Sequence, residues 1–85
     1  MQTIYFHYNG KRYSGYVVSS LEKQPYYFWF NLNDTELIEE IGDDTITFQF
    51  QEGKLAPTHL RAKTAALVHE VQQAIQISID GKIEL

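Results

Sequence analysis

The sequence predicts an α+β fold: a four-stranded antiparallel sheet in the order β-β-β-short α-β-α, with one long C-terminal helix packed on one face. Three observations predict it. Asn9-Gly10 sits between two β-rich runs, the residue pair best suited to a two-residue hairpin turn. Thr45 to Gln51 alternates apolar and polar side chains without a break, the period of a half-buried strand. From His59 to about Ser78 the apolar residues recur at spacings of three, four and seven, the period of an amphipathic helix.

The first hairpin comprises Thr3 to Tyr8 and Lys11 to Val18. A two-residue loop fixes its register, so Tyr8 faces Lys11, His7 faces Arg12, Phe6 faces Tyr13 and Ile4 faces Gly15. Side chains alternate across a strand. One face therefore carries Ile4, Phe6, Tyr8, Tyr13 and Val17, and is the more apolar. The other carries Tyr5, His7, Arg12, Ser14, Tyr16 and Val18. Ser19 to Gln24 reads as a polar connection around Leu21. After Pro25 comes an almost continuous aromatic strand, Tyr26 to Leu32. Phe28, Phe30 and Leu32 point to the core, and Tyr27, Trp29 and Asn31 point away. A strand apolar on both sides is expected at a central position or beneath a partner.

Asp34 to Ile41 reads as a short helix. Asp34 or Asn33 caps it, Glu36 suits its positive N-terminal end, and Leu37, Ile38 and Ile41 share a face. Gly42 is its stop. In the next strand Ile46, Phe48 and Phe50 point inward. Glu52-Gly53 turns the chain, and Pro57 ends the β region. Thr58 is a candidate cap for the long helix, whose buried stripe is Leu60, Leu67, Val68, Val71, Ile75 and Ile79. Asp80-Gly81 is its expected stop, and Lys82 to Leu85 is a candidate short terminal strand. All twelve aromatic residues precede residue 51, so an aliphatic helix is expected to cover an aromatic sheet.

At 85 residues the chain fits one domain spanning residues 1–85. It is 44% hydrophobic and 14% aromatic, the composition of a folded chain. The absence of cysteine excludes thiolate catalysis and cysteine–zinc sites. No apolar run approaches the ~20 residues of a membrane-spanning helix. Met1-Gln2-Thr3-Ile4 lacks the basic and apolar regions of a signal peptide, so a cytoplasmic location is expected. The formal net charge is -4, and six of the eleven acids lie between Asp34 and Asp44. That acidic stretch reads as a solvated edge; a basic partner is the less favoured reading.

Candidate chemistry is sparse. His69-Glu70-Val71-Gln72-Gln73 approaches a zinc-protease helix but ends on Gln73, where the second histidine belongs. Asn31, Asn33 and Thr35 alternate like calcium ligands, but Glu36 stands where the loop glycine is required and Gly42 where the final Glu is required. Asp43-Asp44 reads as a turn. No serine lies in a nucleophile motif, and no phosphate-binding glycine loop is present. No enzyme activity, cofactor or metal is expected.

The expected working surface is the second face of the sheet, carrying Tyr5, His7, Arg12, Tyr16, Val18, Tyr27 and Trp29. Tyr and Trp are enriched at interfaces because an apolar ring with a polar tip suits both states. The leading expectation is a homodimer or another protein partner docked there, with His7 and Arg12 at the rim. The alternative is a single-stranded nucleic acid stacked on the same aromatics. The element order resembles small nucleic-acid-binding modules at the level of topology. Seven scattered basic residues make a poor phosphate groove, so that reading ranks second.

Overall fold

A computed structural model of the chain describes residues 2–23, 25–59 and 61–83, with only the backbone given for Ala62 and residues 80–83. The strands are β1 (Gln2–Tyr8), β2 (Lys11–Ser20), β3 (Tyr26–Leu32), β4 (Thr45–Gln51) and β5 (Lys54–Pro57). The helices are α1 (Thr35–Ile41), between β3 and β4, and α2 (Ala65–Ile83), entered through a 3-10 turn at Ala62–Thr64. The five strands form one antiparallel sheet in sequence order.

The first hairpin has the expected register, with Tyr8 opposite Lys11, His7 opposite Arg12 and Ile4 opposite Gly15. Asn9 and Gly10 take the positive φ angles, 52° and 74°, that its turn requires. α1 is capped as its residues dictate. Asp34 accepts a hydrogen bond from the Glu36 amide at 2.9 Å. Gly42, left-handed at φ 86°, donates its amide to the Ile38 carbonyl at 2.8 Å.

Three expectations are corrected. The sheet has five strands and not four. Glu52 and Gly53, both at positive φ, close a second two-residue hairpin, and Lys54–Pro57 returns along β4. Pro57 is tolerated because β5 is an edge strand. The expected terminal strand is absent for Lys82 and Ile83, which continue α2; Glu84 and Leu85 lie outside the described residues, as does Leu60. The long helix begins at Ala65 and not at His59. Thr58 does not cap it, because its amide and hydroxyl both donate to the Thr47 carbonyl and tie the chain to β4.

The inward side chains meet α2 in one core. Phe30, Phe48, Leu67, Val71 and Ile75 are its most deeply buried members, joined by Leu37 of α1 and Leu55 of β5. Adjacent strands lie about 4.8 Å apart, so β1 and β5 would stand about 19 Å apart in a flat sheet. A helix is about 10 Å across. α2 nevertheless packs chiefly against these two edge strands. The sheet therefore curls around α2 as a half-barrel. Gly15 permits part of this curl. A Cβ there would stand 2.5 Å from the Phe30 ring and closer still to the Asn31 carbonyl, so β3 could not approach β2 as it does.

Candidate functional site

The strands contain no Asp or Glu. The described acidic residues fall in α1, the turns, the connections and α2. The outer, convex face of the sheet is therefore aromatic and polar, with His7, Arg12 and Lys54 as its only basic side chains.

Each residue expected on that face is found there, in two groups. Trp29 lies between Val18 of β2 and Thr47 of β4 in the ladder, and Tyr27 lies between Ser20 and Gln49. The Tyr27 and Trp29 rings stack with centroids 6.2 Å apart and planes 21° apart. Tyr5 stands opposite Ser14, and the guanidinium of Arg12 lies over the Tyr5 ring, 4.3 Å from its centroid. This is a cation–π distance, and it ties a flexible side chain to the sheet. Tyr16 sits on β2 between the two groups, opposite Thr3 and Asn31. His7 is exposed beside Arg12. Tyr5 is 56% exposed, Val18 41% and Tyr27 37%, whereas Tyr16 and Trp29 are half-buried among their neighbours. Asn31 links β3 to β4 by accepting from the Thr45 hydroxyl at 3.2 Å.

The two edge strands, by contrast, are backed by the long helix. Gln72 of α2 donates to the Leu55 carbonyl of β5 at 2.7 Å, and Gln2 of β1 donates to the Ser78 hydroxyl of α2 at 2.6 Å. The long helix thus packs against both edge strands and takes one backbone carbonyl, that of Leu55, while the outer face of the sheet stays open.

The two ends of the half-barrel differ. At one end Leu37 of α1 is buried in the core. The Tyr8 phenol of β1 lies near the Glu40 carboxylate, whose hydrogen-bonding attraction, with partial burial and the carboxylate's negative charge, raises the Tyr8 pKa above its ordinary value of 10.0. A small polar pocket of 220 Å³ lies beside this end, with Asp43, Thr45, Thr58, His59 and Arg61 on its walls. It mixes acidic and basic groups, and every buried polar side-chain atom among the described residues has a partner. The opposite end opens into a groove of 350 Å³ that sequence patterning did not single out. Its walls come from β1, β2, the connection to β3, β3, β4 and α2. The only advance signal was Ser78 falling among the apolar residues near the end of the helical stripe.

His69 is exposed on α2, and Glu70 is half-buried near the first hairpin. Among the described residues no three His, Asp or Glu side chains come together as metal ligands, and no helix is long and apolar enough to cross a membrane. Comparison with protein families, with curated proteins and with solved structures gives no match to this chain, so its residues and their geometry carry the functional argument.

Proposed function

We propose that this chain is a small non-enzymatic interaction domain that associates with a second copy of itself through the outer face of the sheet. The observation that carries the reading is the acid-free aromatic surface around Tyr16, Val18, Tyr27 and Trp29, which no described element covers. A small protein rarely leaves a contiguous apolar patch of more than a few hundred square ångströms open to water. Two features favour a second copy. The α2 helix fills the inner side of the sheet and packs against both edge strands, so the aromatic outer face is the one left to a partner. The face carries little charge, so two identical copies meet without burying like charges. Convexity confines the contact to β2 and β3, with Tyr5, His7 and Arg12 of the first hairpin at the rim.

Sedimentation across micromolar concentrations tests this. A concentration-dependent dimer that Trp29→Ala weakens supports it. A wild-type chain that stays monomeric at high concentration overturns it. One observation favours a second reading: stacked Tyr27 and Trp29, with Arg12 over the Tyr5 ring, supply the parts of a base-stacking platform. Binding of a single-stranded oligonucleotide that falls steeply with added salt would select that reading.

A further inference from the structure

The inward rings of Tyr26, Phe28 and Phe50 remain half-exposed at the end of the half-barrel that α1 leaves open. With Ile75 and Ile79 of α2 they wall the 350 Å³ groove. We propose that this groove binds an uncharged, largely apolar small molecule carrying one hydrogen-bonding head group. The site lies on the side of the sheet opposite the outer face and stands independently of self-association.

Its size falls within the ~300–1,000 Å³ of small-molecule pockets, and the mouth of a barrel is a recurrent place for one. The floor is already formed. Ile4, Val17 and Ile75 are 5%, 9% and 2% exposed. The walls are held by ring contacts, with Phe50 stacked on Tyr26 at 6.4 Å and edge-on to Phe28 at 6.2 Å. Among the described residues no charged side chain lines the groove. An ionised ligand would lose water there and gain no counter-charge from these residues, which selects an uncharged one. The polar requirement comes from Gln2 and Ser78. After donating one N–H to Ser78, Gln2 retains a second N–H and its carbonyl oxygen, and a hydroxyl or amide head group can use either.

The test uses the whole chain and the neutral fluorophore N-phenylnaphthylamine. Its emission is expected to rise and saturate at one probe per chain. The amide NMR signals of Gln2, Ser19 and Ser78 are expected to shift with it, while the Trp29 indole N–H signal on the outer face stays in place. Decanol should displace the probe and decanoate should not. Ile79→Glu should weaken binding about tenfold or more, because it sets an unpaired carboxylate against the apolar wall, and Tyr27→Ala should leave binding unchanged. If Ile79→Glu does not fold, the wild-type amide map decides alone. Absence of saturable binding, shifts confined to the outer face, or equal displacement by decanoate overturns the proposal. Groove signals that respond to protein concentration instead of probe would make a second copy the occupant and overturn it as well.

Discussion

Glu52 takes φ 55° in the second hairpin, a left-handed backbone that a residue with a long side chain adopts at a penalty of about 1 kcal/mol. Asn tolerates that conformation better and matches the residue used at Asn9. Glu52→Asn should therefore raise stability by a few tenths to about 1 kcal/mol, read from the midpoint of urea unfolding; a lowered midpoint would refute the strain. Tyr8 makes the second residue-scale expectation. Its pKa is raised in the folded chain, chiefly by hydrogen-bonding attraction to the nearby Glu40 carboxylate. The unfolded phenol then loses its proton first as pH rises. The contribution of Tyr8 is complete below pH ~10 and declines as pH rises through the raised folded value. Tyr8→Phe should flatten this alkaline loss and remove a step above the ordinary tyrosine range from the ultraviolet titration. A wild-type titration without that step would argue against the Glu40 interaction. Legibility at this scale followed locality. The Asp34 cap and the Gly42 stop were readable because their partners lie within four residues. Thr58 was misread because its hydroxyl bonds Thr47, eleven residues back, on a strand whose position no local pattern encodes.

The elements divide by how much periodicity each contains. Strands β1 to β4 and the buried stripe of α2 were legible because each runs for seven residues or more with an inward face that repeats. β5 has four residues and one buried apolar side chain, Leu55, and ends on Pro57, so it offered no period to detect. The α2 stripe makes the element-scale prediction. Leu67 and Val71 are both 0% exposed in the core. Leu67→Ala should destabilise the chain by about 2–5 kcal/mol through lost burial and the cavity left behind. Val71→Ala removes less volume and should cost less. Denaturant unfolding of both variants checks this, and a loss under about 0.5 kcal/mol, the range of surface substitutions, would place Leu67 at the surface.

At the scale of the whole molecule, charge and apolar surface separate. Acids gather on and beside α1, while the outer face has none. The composition of that face was legible from alternation alone, since every residue assigned to it falls there. Its curvature was not legible, because the curl depends on α2 reaching β1, as in the bond between Gln2 and Ser78, 76 residues apart. The groove was hidden for the same reason: it exists only where six segments stop short of one another. If the central aromatics anchor self-association, Trp29→Ala should raise the dimer dissociation constant by about thirtyfold, the equivalent of ~2 kcal/mol for a central anchor. His7→Ala at the rim should change it little. Equal effects at the two positions, measured by sedimentation equilibrium, would refute the assignment of centre and rim.

The position of α2 against both edges has a kinetic meaning. Neighbouring strands in this meander are joined by short connections or a single small helix, so the sheet can assemble from contacts that are close in sequence. Closure needs α2 to return to β1, the contact with the greatest loop-closure entropy in the fold. Until that return, the apolar inner face of the sheet stays open to any passing chain. The fold is thus most exposed to misassembly in the interval between completing its last hairpin and docking its last helix. The same helix that fixes the shape of the finished molecule sets the length of that interval.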